Sequence, residues 1–475
     1  MASKGVYKWS FIERVTVSSL NFGGNIILAR LLTQADFGLL AMIGIFISIA
    51  TDLSDCGMSD GLIHKLKPTR KDYSTVFISN AVMGAFFGSL FFFLAPQIAE
   101  YFGHGELIWI MRIHGICFFF RTLSYVQETR LRKLLCMKHI CIVRISGTVI
   151  SLALGIFLAI NGFGYWALVS TQIFISFFLF VGFLIASRWF PGFVFEFSTF
   201  KGFFKYGYHL MLAFLGEITS KNINTFVLGK AYTSSSLSGI YFVGTKLANV
   251  PFSISESSLN SPFFAVASNE ADKQKRKELI LQMFSFLVGC NALILFFMLA
   301  ISRPAVEFLY GLKWDATVPV LRILVAFEFF NCVKKFFQTV FKIKGITNVI
   351  KNLAFVEIII QLSLLMIFYK DGLEAVALTQ VGGVLSSILI YVFIYCKTIE
   401  INFNQFIKYL LSAICIPAIC GCVSFFLNYT LGQIIHLNAF MSCVIVTVSF
   451  LILFVAIGEI FKSNLYISIK SKIIK

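Results

Sequence analysis

The sequence predicts an all-α polytopic membrane protein of about fourteen transmembrane helices. Three observations carry that prediction. Of 475 residues, 58% are hydrophobic and only 13% charged, with a mean hydropathy of +0.85, a balance foreign to soluble globular chains of this length. Apolar runs of spanning length recur along the whole chain. A spanning helix needs roughly 20 apolar residues, because lipid cannot satisfy backbone amides and each N–H must bond within its own segment. Basic residues also alternate between successive loops, as the positive-inside rule requires of a threaded chain. That placement gives the net charge of +17 a membrane meaning and argues against a nucleic-acid partner.

The first six spans are expected at Trp9 to Leu31, Phe37 to Ile63, Val76 to Ile98, Leu107 to Val126, Ile140 to Ile160 and Phe163 to Ser187. The next six follow at Tyr206 to Leu228, Leu237 to Val266, Leu279 to Ile301, Val318 to Val340, Leu353 to Tyr369 and Leu373 to Tyr395. Phe406 to Leu427 and Ala439 to Phe461 close the chain. The Leu107 to Val126 span is the least apolar, because it holds Arg112, His114 and Arg121.

Loops after even-numbered spans are basic: Lys65, Lys67, Arg70 and Lys71; Arg130, Arg132, Lys133 and Lys138; Arg188, Lys201 and Lys205; Lys273, Lys275, Arg276 and Lys277; Lys342, Lys344 and Lys351; Lys397 and Lys408. Loops after odd-numbered spans hold only Arg30, Lys230, Arg303, Lys313 and Lys370. Both termini, with Lys4, Lys8, Lys462, Lys470, Lys472 and Lys475, are therefore expected in the cytoplasm. The start, MASKGVYKWS, lacks a small-residue cleavage site after its apolar run, so the first span is expected to be retained. The eleven cysteines lie mostly inside apolar segments without metal spacing and read as small hydrophobes. The longest outside loop, Ser302 to Pro319, leaves no room for a soluble domain.

A weak internal repeat links ILARLLTQADFGLL from Ile27 with VLGKAYTSSSLSGIY from Val227. Each has a basic residue (Arg30, Lys230), a polar turn, then glycine (Gly38, Gly239). The offset is about six helices, so the halves share orientation, as in transporters built of parallel repeats. Residues 1–187 then form an N-terminal lobe and 206–396 a C-terminal lobe, joined by an aromatic, amphipathic interfacial linker over 188–205. Residues 397–475 hold an accessory helix pair and a cytoplasmic tail.

Lys8-Trp9-Ser10 through Glu13-Arg14, ILARLL, the Asp36-Phe37-Gly38-Leu39-Leu40 turn and Asp55-Cys56-Gly57 resemble the start of bacterial polysaccharide flippases of the WzxC-like group. These belong to the multidrug/oligosaccharidyl-lipid/polysaccharide exporter superfamily. SKNINTFVLGK (Ser220 to Lys230), Gly239-Ile240-Tyr241 and YGLKWDATVPVLRIL (Tyr310 to Leu324) extend the resemblance over nearly the whole chain. It implies two six-helix lobes around a central cavity, plus the two C-terminal helices. It also implies movement of a lipid-linked oligosaccharide across the bacterial cytoplasmic (inner) membrane, for O-antigen, capsule or exopolysaccharide synthesis, beside a polysaccharide polymerase and assembly proteins. Where the family commonly has an acid after the Ser-Lys/Arg-Asn triplet, this chain has Asn224.

An undecaprenyl-diphosphate-linked sugar presents an anionic pyrophosphate and hydroxyls that need shelter from lipid. The basic candidates for it are Arg14, Arg112, Arg121, Lys221 and Lys246, all read as buried within spans, where an ionisable group is costly and marks a site by default. Glu217 and Lys221, spaced i, i+4, also satisfy a plain helical ion pair, whereas Lys334 and Lys335 are expected to snorkel. The acids Asp52, Asp55, Glu217, Glu256, Glu328 and Glu357 fall within spans; Asp52, Asp55, Glu217 and Glu256 are the candidates for H+ or Na+ coupling. Asp55 with Asp60 equally suits a helix-end cap. Gly23, Gly24, Gly382 and Gly383 read as close-packing points. There is no Walker loop and no Ser/His/Asp arrangement, so neither an enzyme nor a cofactor is expected. The rival readings are a multidrug extruder of the same superfamily and, less well supported by the short outer loops, a membrane polysaccharide polymerase.

Overall fold

The computed structural model describes residues 2–461 apart from 56, 66, 193, 233, 270–271, 345, 400–402 and 435–437. The tail lysines from Lys462 onward lie outside the described residues. By contact the chain separates into two compact units, Met1–Gly239 and Ile240–Lys475.

The first unit contains α1 (Ala2–Leu31), α2 (Gln34–Asp55), α3 (Met58–His64), α4 (Arg70–Phe102), α5 (Leu107–Lys133), α6 (Met137–Ile160), α7 (Trp166–Ser187), α8 (Phe197–Ala231) and the first turn of α9 (Ser235–Asn269). Its helices pack α4 on α5, α5 on α7, α7 on α6, α6 on α1, and α2 on α8. A large apolar cluster, with Met42, Phe87, Phe91, Ile110, Met111 and Phe118, fills the space among α2, α4 and α5. Close approach there depends on glycine. A Cβ on Gly88 would lie 3.0 Å from the Gly115 carbonyl oxygen, and one on Gly115 would lie 2.8 Å from that of Gly88. Small residues at such points let two helix backbones come together where lipid supplies no hydrophobic drive.

The loops of this unit sort to opposite ends, as the charge alternation requires. At one end Lys65 pairs with Asp72, Lys133 donates to the carbonyls of Ile63 and Lys65, and Arg130 donates to that of Ser187. Cations thus cap the last carbonyls of α3 and α7, which have no intrahelical donors. At the other end Lys230 donates to the Tyr101 carbonyl, and the Asp36 carboxylate lies beside Gly164.

One expectation is corrected here. The second span does not run unbroken to Ile63: α2 stops at Asp55 and α3 begins at Met58 after Gly57, whose φ of 68° lies in the left-handed region. Glycine alone takes that conformation without steric cost. Within the aromatic stretch 188–205, α8 begins at Phe197.

The second unit continues α9 and adds α10 (Lys273–Tyr310), α11 (Thr317–Ile343), α12 (Thr347–Phe368), α13 (Leu373–Ile399), α14 (Phe403–Ile434) and α15 (Ala439–Phe461). Here α11 packs on α10 and α13, α12 packs on α13, and α14 and α15 both pack on α10. The accessory pair is thus seated on the unit through Cys420, Phe450 and Phe454 against Phe286, Phe296 and Phe297. Gly24, Gly382 and Gly383 each face a neighbouring side chain, whereas Gly23 faces open space. Among the described residues, nine helices are long and apolar enough to cross a membrane. The long helices outside that set, including α1, α8, α9 and α11, interrupt their apolar runs with charge, which leads to the site.

Candidate functional site

Within the first unit, α1, the end of α5 and the start of α6 enclose a cleft of ≈ 470 Å³. Ser10, Glu13, Arg14, Ser18, Arg132 and Arg144 give it polar walls, and Phe11, Val17, Met137 and Ile140 give it apolar ones. The charges form a chain. Arg144 donates from Nη1 to Glu13 at 3.2 Å and from Nη2 to Glu128 at 2.7 Å. Arg132, one turn beyond Glu128 on α5, donates to the same Glu128 oxygen from Nε at 2.9 Å and Nη2 at 2.6 Å. Glu128 is therefore gripped by two guanidinium groups and Glu13 by one. Arg14 adds a third guanidinium, exposed on the cleft wall. Three cations against two carboxylates leave an excess positive charge in a space of ligand-pocket size.

The second unit holds its charges differently. Lys334 donates to both oxygens of Glu357 at 2.8 and 3.1 Å, and Ser387 adds a third bond at 3.0 Å. The two charged side chains are only 12% and 5% exposed. Lys335, the next residue on α11, pairs with Glu256 on α9. Glu328, also buried, accepts from Asn249 at 2.8 Å and Asn331 at 3.4 Å. Its partners among the described residues are carboxamides and not an ammonium. Tyr241 donates to Gln380 at 2.7 Å nearby.

The expected candidates are scattered across this picture. Arg14, Arg121, Lys221 and Lys246 are accessible on the protein surface and Arg112 is half-buried. Arg112 lies over the rings of Phe92 (4.6 Å) and Trp109 (5.3 Å), and Lys246 over Phe242 (5.1 Å). Arg121 neighbours the Tyr125 hydroxyl. Asp55 accepts from Ser59 through backbone N–H (3.2 Å) and hydroxyl (2.6 Å), and from Asn80 at 3.4 Å. That ties the end of α2 to the start of α3, the cap that its position suggests. Glu256 is neutralised by Lys335. Lys334 and Lys335 do not snorkel, because carboxylates within reach hold them, the buried Glu357 for Lys334 and the half-buried Glu256 for Lys335. The side chains of Asp52, Asp60 and Glu217 lie outside the described part, and the Glu217–Lys221 pair with them.

Residues 27–319 match the family described as "Polysaccharide biosynthesis protein". The chain belongs to that family. It is 22% identical over 455 residues to the teichuronic acid biosynthesis protein TuaB of Bacillus subtilis, covering 88% of this chain and 87% of that one. It is 22% identical over 333 residues to the lipopolysaccharide biosynthesis protein WzxC of Escherichia coli, covering 67% and 65%. The resemblance to the WzxC-like group is thereby supported. The lipid II flippase MurJ, in an inward closed conformation, superposes with a TM-score of 0.76 over 97% of this chain and 99% of its own, at 15% identity. The two share a fold, and an inward-facing multidrug resistance MATE family transporter of the MOP superfamily also superposes, with a TM-score of 0.62 over 81% of this chain at 16% identity.

In this member of the family, the cleft residues that sequence reasoning missed are Arg132, Arg144 and Glu128. Arg144 sits one turn inside an apolar span beside a basic loop, where an arginine reads as snorkelling. Its partner Glu13 is 131 residues away. The available signal was the ionisable group within the span at Arg144, with an unpaired acid within the first span.

Proposed function

We propose that the chain is a flippase that moves an undecaprenyl-diphosphate-linked oligosaccharide from the cytoplasmic to the periplasmic leaflet by alternating access, for surface polysaccharide synthesis. The observation that carries this reading is the cationic cleft of α1, α5 and α6. Arg132 and Met137 in its wall flank the basic α5–α6 loop, expected on the cytoplasmic side where such lipids are assembled. Guanidinium groups match phosphate oxygens through planar, bidentate hydrogen bonds. The hydroxyls of Ser10 and Ser18 suit sugar, and Phe11, 70% exposed, with Val17 and Met137 suits the first isoprene units. Lys221 and Arg121 remain secondary candidates for later positions of the substrate.

A cationic drug would be repelled by this excess of positive charge, which disfavours the multidrug reading. A polymerase needs an acceptor-holding outer loop, yet only Gly311 to Ala316 separate α10 from α11, and a short turn at Leu312–Trp314 occupies part of that. For cation coupling, the pairing of Glu256 and Glu357 moves the weight to Glu328, a buried acid held by amides. Asp52 and Glu217 stay as proposals.

The deciding experiment removes the protein while the glycosyltransferases remain. Lipid-linked oligosaccharide should accumulate on the inner leaflet, and re-expression should clear it. Accumulation of polymer-length intermediates on the outer leaflet, or none at all, would reject the flippase. Glu328→Gln should uncouple transport from an imposed H+ or Na+ gradient while leaving the protein folded; gradient-dependent transport in that variant would remove Glu328 from coupling.

A further inference from the structure

Resting on the proposed flippase reading, we infer that Glu13 is a built-in stand-in for the substrate pyrophosphate: it occupies Arg144 when the cleft is empty and is displaced when substrate enters. The geometry of the two carboxylates on Arg144 makes the case. Glu128 is bound at 2.7 Å by Arg144 and at 2.6 and 2.9 Å by Arg132. Glu13 has the single, longer contact of 3.2 Å, from Nη1. Charge-assisted hydrogen bonds are strongest when short and bidentate, so Glu13 is the ligand that leaves first.

Arg144 is also incompletely used. Its Nε is buried and has no hydrogen-bond partner among the described residues, although the side chain as a whole is 32% exposed. A buried donor without an acceptor is unfavourable. A pyrophosphate group has oxygens enough to take the Nη1 position vacated by Glu13 and to extend to the Arg14 guanidinium on the same wall. Glu13, 17% exposed at the cleft wall, then turns to the water of the opening. In this arrangement Glu128 and Arg132 hold Arg144 in place, and Glu13 sets how tightly an anion is kept.

Such a competitor has a function in a transporter. A site made of bare guanidinium groups would bind a pyrophosphate strongly and release it slowly. A carboxylate that returns to Arg144 lowers affinity and assists release. Glu13 is thus a positioning residue for the transport cycle and not an ion pair retained for stability.

The test uses the full-length protein in nanodiscs of uncharged lipid, titrated with farnesyl diphosphate, a water-soluble polyprenyl diphosphate, with farnesol as control. Glu13→Gln should tighten farnesyl diphosphate binding by about tenfold, the equivalent of one charge-assisted hydrogen bond, and should slow transport in cells. Glu13→Asp, which keeps the charge but shortens the reach, should tighten it less. Arg144→Gln and Arg14→Gln should weaken it, and farnesol should be insensitive to all four. If both arginine variants weaken binding while Glu13→Gln leaves it unchanged or weaker, the stand-in role is overturned and the cleft remains the anion site. If neither arginine variant changes binding, the cleft itself is not the pyrophosphate site. Melting temperatures measured on the same samples separate these results from misfolding; should Glu13→Gln not fold, tightening in Glu13→Asp decides the matter.

Discussion

The two units place comparable charges in opposite settings. In the first, Glu13, Arg14, Arg132 and Arg144 line an open cleft, Glu128 is bonded to two of these arginines, and Arg14 is exposed. In the second, Lys334 and Glu357 close on each other inside the packing, with Ser387 filling a further oxygen. A buried pair that satisfies itself has little to offer a ligand, while leaving one partner alone is expensive. An open cluster with surplus charge contributes little to folding and is available for binding. Charged residues in membrane spans are therefore not one category, and pairing geometry separates the two kinds.

The largest expected effect sharpens that contrast. Arg14→Ala should lower transport by more than about tenfold, the value of one lost charge-assisted hydrogen bond, with protein abundance and melting temperature unchanged. A drop in melting temperature with normal transport would break the comparison. Arg14→Lys should retain part of the activity if potential alone matters and lose most of it if the planar fork is used. The converse holds in the second unit. Lys334→Met should destabilise by about 3–5 kcal/mol through the stranded Glu357, and Lys334→Met with Glu357→Leu should recover most of that. Thermal unfolding of the purified variants reads both, and an unrecovered double variant would assign Lys334 a role beyond neutralising Glu357.

A separate test addresses the first unit's charge chain. Neutralising the pair by Glu13→Gln with Arg144→Gln should leave the fold intact and transport lost, whereas a structural pair would regain activity. The smallest effect concerns packing. Gly88→Ala places a methyl group against the Gly115 carbonyl, and a forced adjustment of that kind costs about 1–3 kcal/mol, seen as a modest fall in melting temperature.

Much of the architecture was legible in the sequence because lipid enforces it: run length gives the helices, and the lysine and arginine alternation gives the ends to which loops sort. The break at Gly57 was not, since the apolar pattern continues across it and only a glycine after Asp55 marks the turn. The candidate site was legible in part. Arg14 was reachable as a charge in a span, but Arg144, Lys334 and Lys335 resemble snorkelling residues until partners 131, 23 and 79 positions away are known.

The repeat glycines carry a further consequence, for the order in which the chain is made. A Cβ on Gly38 would run into the Ser235 carbonyl oxygen, and one on Gly239 into that of Gln34. The start of α2 therefore rests directly on the first turn of α9. As the ribosome delivers the chain, α2 reaches its final seat only after Gly239 has been synthesised, so a nascent chain stopped at Ser187 leaves a helix face waiting in the bilayer. The early helices must be tolerated there, or shielded by insertion machinery, until the start of α9 arrives to complete the seat.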